Sequence, residues 1–222
     1  MKLQEIASHG LLYHVLQELL EVFENRSIES ALDIGGGTGM NLSILGSYID
    51  IRHAISADTF VPKEKEPRVE YYKVSAESLK KSFPSHSFDV IMMIEVIEHL
   101  VDPDMIIEDV SYLLKEGGVL IVTTPNLSSL LNRISLMLGY EPFGAEVSTR
   151  KVFGRPGSHV VGHLRLFTFR ALREFLEFYG FRVLSSYTIA NTFNNKLDFV
   201  EKLSTKLSSK LASRTIIVAK KP

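Results

Sequence analysis

Apolar positions change their period several times along the chain. Leu12, Val15, Leu16, Leu19 and Phe23 recur at three- and four-residue spacing, which predicts an amphipathic helix. After it, short apolar runs alternate with helical patterns. The runs "SALDI", "HAISAD", "RVEYYKV" and "SFDVIMMIE" read as strands, and "MNLSILGSYI" reads as a helix between the first two. A helix over 104–114 is expected to end at "KEGG", where glycine stops it, and "GGVLIVTTP" is a fifth strand. "FRVLSSYTI" and "RTIIVAKK" follow as two more, separated by a lysine-rich amphipathic helix over 197–211. Strands alternating with helices imply a mainly parallel sheet with helices on both faces. Right-handed crossovers then make a doubly wound α/β fold, with the ligand at the carboxyl edge of the strands. No internal repeat or low-complexity tract interrupts the pattern.

Residues 126–163 do not fit the alternation. Leu127, Leu130, Leu131, Ile134, Met137 and Leu138 occupy one helical face that Gly139 closes. Such a stripe most often packs on the core; the alternatives are a greasy acceptor or a membrane surface. The stretch "YEPFGAEVSTRKVFGRPGSHVVG" is rich in glycine and proline and reads as a long loop, of a length usual for lids and binding elements. A further helix is expected at 168–179.

Composition narrows the classes. A chain of 222 residues with 45% hydrophobic and 23% charged residues suits one well-cored soluble domain. Net charge is −1, so no global basic field calls for nucleic acid, and no DNA partner is expected. The chain has no cysteine, which removes disulfides, thiolate metal sites and a cysteine nucleophile together. The first residues, "MKLQEIASHGLLYHVLQELLEVFENRS", lack the unbroken apolar core of a signal peptide, and no stretch reaches the roughly 18 apolar residues of a membrane span. A cytoplasmic location is the default expectation.

The candidate chemistry begins at "ALDIGGGTG", residues 31–39. A phosphate-binding P-loop needs Gly-Lys-Ser/Thr, which is missing here. In a dinucleotide loop, Gly35 and Gly37 would fit, but Met40 stands at the third glycine position. The remaining pattern is Asp33, Gly35, Gly37 and Gly39 at alternate positions, with Gly36 between. An acid at the strand end suits a ligand carrying an ammonium group and repels a pyrophosphate.

"LDIGGGTG" resembles the first motif of the class I S-adenosylmethionine-dependent methyltransferases, a Rossmann-like family. The resemblance implies S-adenosylmethionine as cofactor, its methionine part beside Gly35, Gly36, Gly37 and Gly39 and its ammonium held with help from Asp33. Asp58 ends the second strand about 20 residues beyond the glycines, where nucleoside-binding folds hold ribose hydroxyls. "VSAESL" stands where the family carries an Asp-Ala pair for the adenine: Ser75 replaces the acid, Ala76 follows, and Glu77 is the substitute partner. "FDVIMMIEVIEHLVDPDMIIEDVSYLLKEGGVLIVTTPN" matches the family's fourth strand, helix and fifth strand, and "HLRLFTFRALREFLEFYGF" its carboxyl-terminal part. By the same resemblance the last of the seven strands runs antiparallel. The chain then reads as one domain: a helical segment at 1–29, a cofactor-binding core at 30–125, a lid or acceptor insertion at 126–163, and the rest of the sheet at 164–222.

The acceptor chemistry centres on "IEVIEHL". Glu95, Glu98 and His99 share a face if they form a helical turn, and His163 opens "HLRLFT", four residues after His159. His99 or His163 is the candidate base, with Glu95 lining the cofactor pocket and no metal required. Alternatively Glu95, Glu98, His99 and His163 form a metal set resembling that of the small-RNA 3′-terminal 2′-O-methyltransferases. "EVIEHLVDP" followed by an apolar helix is similar to the quinone-biosynthesis O-methyltransferases, which implies a lipid-like small-molecule acceptor and allows peripheral membrane contact. Arg133, Arg150, Lys151 and Arg155 would instead meet an anionic acceptor. The leading expectation is methyl transfer to an oxygen or nitrogen of a small molecule. Metal-dependent RNA 2′-O-methylation and a non-catalytic nucleoside-binding role are the alternatives.

Overall fold

A computed structural model describes residues 10–23, 27–155, 157, 159–191 and 197–222, with the backbone alone at 197–199. Helix α1 (Leu11–Phe23) leads into β1 (Ile28–Ile34), α2 (Met40–Leu45), β2 (Ile51–Asp58) and β3 (Val69–Lys73). A 3₁₀ turn (Ala76–Ser78) and α3 (Leu79–Ser82) precede β4 (Phe88–Ile94), a second 3₁₀ turn (Ile97–His99) and α4 (Pro103–Leu113). Then come β5 (Leu114–Pro125), α5 (Leu130–Met137), α6 (Phe169–Phe178), β6 (Arg182–Ile189), α7 (Leu197–Leu207) and β7 (Arg214–Lys220).

The seven strands lie in the order β3-β2-β1-β4-β5-β7-β6. β1 to β5 pair in parallel, and β7 runs antiparallel to both its neighbours, as the resemblance implied. β1 pairs with β2 on one side and β4 on the other, so the strand order reverses there. Loops after β1 and β4 diverge at that point and leave a crevice at the carboxyl edge.

Strand alternation divides the core in two. Leu32, Ile34, Ile91, Met93, Leu120 and Val122 face α4 and α6. Ala31, Ala54, Val90, Met92, Val119 and Ile121 face α1 and α2. Asp33 shares the parity of Ala31, so its carboxylate points under the start of α2 and meets Asn41 there.

Several boundaries differ from the sequence reading. α2 stops at Leu45, where the Gly46 amide turns back onto Leu42, instead of running through "GSYI". "KEGG" does not end α4: the chain turns extended at Leu114, and both glycines lie inside β5, beside an irregularity in its pairing with β4. α7 ends at Leu207.

The apolar stripe of 127–138 splits: Leu131 is buried, Leu127 and Leu130 are half-buried, and Ile134, Met137 and Leu138 are exposed. Met137 is 86% and Leu138 68% exposed, whereas Leu131, Asn132 and Ser135 are the inward residues. Asn132 decides this orientation. Its amide donates to the carbonyls of Asn126 (3.1 Å) and Phe143 (3.3 Å), and its Oδ1 accepts from the Phe143 amide at 2.7 Å. These bonds give the part-buried amide and carbonyl of Phe143 their partner, and they add a second donor to the Asn126 carbonyl, which also accepts from Ser129.

Candidate active site

The glycine turn sits directly on β1. Gly35 donates to the carbonyl of Ala57 (2.8 Å), and Gly37, at φ 53°, donates to Asp58 Oδ2 (3.0 Å). A side chain at Gly36 would collide: its Cβ would stand 2.6 Å from Ser56 Oγ and 3.0 Å from Asp33 Cγ. The turn therefore presses onto the strand end, and Asp33 lies sealed beneath it at 1% exposure. Asp33 Oδ2 accepts from Asn41 Nδ2 (3.1 Å); Oδ1 is enclosed without a hydrogen-bond partner among the described residues. Burial pushes its pKa up to about 7; the Asn41 bond opposes this, and the Asp58 charge adds to it.

A cleft of about 360 Å³ opens beside the turn, with Gly35, Asp58, Ala76, Glu77, Glu95 and His99 in its wall. Asp58 Oδ1 accepts from the amide and hydroxyl of Thr59 at 2.6 and 3.1 Å. Ser75 is not in that wall; its hydroxyl turns to Ser78 at 3.5 Å. The end of the cleft expected to take adenine is thus formed by Val74, Ala76 and the exposed Glu77.

Beyond the cleft the segment "IEVIEHL" divides. Glu95 stands outside the 3₁₀ turn at φ 57°. Its amide donates to the Thr123 carbonyl and hydroxyl, both at 3.1 Å, that hydroxyl donates to Glu95 Oε1 (3.0 Å), and Arg214 Nε lies 3.1 Å from Oε2. Glu98, on the turn, is buried. Its Oε2 accepts from the Thr124 hydroxyl (2.9 Å), while Oε1 makes no hydrogen bond among the described residues and lies 4.0 Å from His163 Nε2. Burial pushes the Glu98 pKa up to about 7, with the Glu95 charge adding to it.

The two imidazoles meet at ring centroids 4.9 Å apart. His99 Nδ1 lies 3.1 Å from the Gly162 carbonyl and His163 Nδ1 3.1 Å from that of Gly144. A carbonyl only accepts, so each Nδ1 carries a hydrogen. Burial lowers the His163 pKa, which keeps the ring neutral. Glu98, His99 and His163 each present one donor atom within 4.8 Å of the others. Glu95 is absent from that group, because Thr123 and Arg214 hold its carboxylate.

The long loop is tied to this turn. Leu164 and Arg165 amides both donate to the Glu98 carbonyl (2.8 and 2.9 Å), and Glu146 accepts from the amides of Val161 and Gly162 at 2.7 Å each. A second cavity, about 230 Å³, lies past His163 and is lined by Arg155 and His159 among others. Arg133 instead donates to the Ser128 carbonyl at the surface, and Arg150 and Lys151 are exposed. Sequence reasoning missed Thr123, Thr124, Arg214 and Asn132. The paired threonines closing "VLIVTTP" were the available signal, since hydroxyls at the carboxyl end of a central strand face the crevice.

A family model described as a methyltransferase domain matches residues 6–186. The ubiquinone biosynthesis O-methyltransferase of Chelativorans sp. (strain BNC1) is 31% identical over 140 residues, which is 60% of this chain and 51% of that protein. The protein of the same name from Pelagibacter ubique is 29% identical over 142 residues, 58% of this chain and 57% of its own. The chain spans about half the length of the curated relatives it matches. Among solved structures, a SAM dependent methyltransferase from Archaeoglobus fulgidus superimposes with a TM-score of 0.63 at 20% identity, covering 96% of this chain and 94% of that one. That likeness is one of fold.

Proposed function

The chain belongs to the family of methyltransferase domains, and on that premise we propose that it transfers the methyl group of S-adenosylmethionine to an oxygen of a small-molecule acceptor. One observation carries the reading. A glycine turn lies over a buried carboxylate at the strand-order reversal, and its cleft reaches His99, whose ring touches that of His163 beside Glu98. The relatives' name supports oxygen as the accepting atom and favours a small molecule over RNA or a non-catalytic role.

In this reading the turn receives the methionine part, with Asp33 acting on its ammonium from below. Asp58 takes the ribose hydroxyls: a carboxylate offers about four lone-pair sites, so capacity remains beside its bonds to Gly37 and Thr59. Val74, Ala76 and Glu77 flank the adenine. When bound, the cofactor supplies an electrophilic methyl whose bond pair returns to sulfur as the new carbon–oxygen bond forms. The protein contributes alignment, which is worth roughly 7–11 kcal/mol in well-oriented reactions. It also takes the acceptor's proton. His163 Nε2 and Glu98 Oε1, 4.0 Å apart, are the atoms placed to receive it. We further propose a cytoplasmic site of action.

A second reading concerns how that proton is acidified. The donors of Glu98, His99 and His163 fit a divalent ion, because both Nδ1 atoms are fixed outward on carbonyls and Glu98 Oε1 points inward unbonded. A bound ion there would supply Lewis acidity that lowers the hydroxyl's pKa.

Calorimetry with S-adenosylhomocysteine, followed by radiolabelled methyl transfer to small hydroxy compounds, tests the main proposal. Binding and transfer are expected. A folded protein that gives no heat with this ligand but a clear isotherm with a nicotinamide dinucleotide overturns it.

A further inference from the structure

We propose that Glu146 is a positioning residue for the two histidines. It aims the Gly162 carbonyl that keeps the hydrogen of His99 on Nδ1, and it ties the stretch carrying that carbonyl to the stretch whose Gly144 carbonyl does the same for His163. The inference rests on the methyl-transfer reading above and deepens it, because the nitrogen left free on a neutral ring is the one that can take the acceptor's proton.

Both acceptor carbonyls come from the long loop, and both belong to glycines in left-handed backbone, Gly144 at φ 95° and Gly162 at φ 80°. A glycine peptide rotates at little steric cost, so neither carbonyl keeps its direction by local sterics. Gly144 has a partial anchor nearby: the amide of its own peptide plane, from Ala145, donates to the Pro142 carbonyl at 3.1 Å. Gly162 lies outside any helix or strand, and Glu146 holds the amides around it. Those of Val161 and Gly162 donate to the carboxylate at 2.7 Å each, and the His163 amide adds to the stabilisation of its charge. A trans peptide is flat, with its N–H and C=O on opposite sides. The His163 N–H shares a plane with the Gly162 carbonyl, so drawing that N–H toward Glu146 points the carbonyl the other way, at His99.

The Glu146 side chain is 4% exposed, with the Arg155 guanidinium 3.9 Å away. Burial alone would raise its pKa, and the Val161, Gly162 and His163 amides reverse this, so the carboxylate stays ionised. Hydrogen bonds to an ionised acceptor are roughly twice as strong as those to a neutral one. The docking of the loop has other supports. Leu164 and Arg165 amides lie on the Glu98 carbonyl, and Arg165 Nη2 donates to the Val101 carbonyl at 2.7 Å. Loss of the carboxylate therefore leaves the loop on the turn and frees the direction of the Gly162 carbonyl, and in part that of Gly144. Without a carbonyl on Nδ1, a neutral ring redistributes its hydrogen between its two nitrogens.

Nitrogen NMR of the imidazole rings in the full chain, at about pH 8 and without metal, reads the tautomers directly, with the two rings assigned from His99→Gln and His163→Gln. The parent should hold both rings mainly as Nδ1–H. In Glu146→Gln, which puts an amide where the carboxylate was, the ratio of Nδ1–H to Nε2–H should fall about fivefold at His99 and by less at His163. Glu146→Asp keeps the charge beside Arg155 but draws it back by one carbon–carbon bond, and should move the ratios the same way. Affinity for S-adenosylhomocysteine should change by less than about twofold in both, because Glu146 does not line the cofactor cleft. Parent rings that are mainly Nε2–H, ratios unchanged in either folded variant, an equally large loss of S-adenosylhomocysteine affinity, or failure of both variants to fold overturns the inference. Failure of S-adenosylhomocysteine to bind the parent protein instead sinks the methyl-transfer reading, which the ring spectra do not depend on.

Discussion

Arg214 Nε lies 3.1 Å from Glu95 Oε2, joining the first residue of β7 to the residue after β4 across the intervening strand β5. Thr123 of β5 completes the clasp by bonding both the amide and the carboxylate of Glu95. Left-handed backbone at a residue with a side chain is unfavourable by roughly 1 kcal/mol, and these contacts hold it there. Arg214→Met is expected to weaken binding of S-adenosylhomocysteine about tenfold, because Glu95 then loses its fixed place in the wall of the cofactor cleft. Combining it with Glu95→Gln should be no worse than the poorer single variant. Additive losses in that double-mutant cycle would show that the two residues act separately.

Asp33 ties stability to pH. Its native carboxyl keeps a proton up to about pH 7, while the unfolded chain releases it near the ordinary 3.8. The native state therefore binds more protons across that window, and stability falls as pH rises from about 4 to about 7, by on the order of 4 kcal/mol for a shift of this size. Glu98, shifted the same way from 4.5 to about 7, adds to the slope. Denaturant unfolding at pH 5 and pH 8 should show a flatter dependence for Asp33→Asn than for the parent, together with weaker cofactor binding. An unchanged slope would mean that the carboxyl is not desolvated.

The cluster of Glu98, His99 and His163 is open to a direct metal test. Manganese is expected to raise the melting temperature of the parent protein by several degrees and to leave His163→Ala unmoved, since a ligand that binds only the native form stabilises it. Loss of methyl transfer by roughly 10²–10⁴ is expected for His163→Ala in either case. Identical manganese shifts in the two proteins, or none in either, would leave proton removal to the side chains alone.

Asn132 anchors the wall of the second cavity. Asn132→Leu leaves the part-buried amide and carbonyl of Phe143 without this partner, at a cost of about 1 kcal/mol each. The variant should melt lower yet still bind S-adenosylhomocysteine, because Asn132 does not line the cofactor cleft. Loss of that binding in the folded variant would argue that α5 supports the whole domain instead of one cavity.

Much of the architecture was legible in the chain. Short continuous apolar runs separated by helical patterns specify a covered parallel sheet, since each β-to-β crossover must pack a helix on one face or the other. The glycine turn was legible too, because Gly36 at a strand end has one reading: a backbone that must approach something closely. Helix ends were less so. "KEGG" has the composition of a helix stop, but the chain had already turned at Leu114, and the glycines serve a strand irregularity.

Local pattern by itself determined the fold class, the position of the turn and the residue types at the carboxyl edge, because these follow from periodicity and from steric limits on single residues. Tertiary structure alone decided how those residues divide. Glu95 and Glu98 are three apart in one motif, yet Arg214, more than a hundred residues later, draws the first aside while Thr124 draws the second inward. The later part of the apolar stripe on α5, Ile134 and Met137, faces outward for a similar reason: a buried amide at Asn132 answers to the backbone of Phe143, and no hydrophobic period records that demand. Hydrogen bonds and charges between distant segments have no repeat in the chain, so only the folded arrangement can assign them.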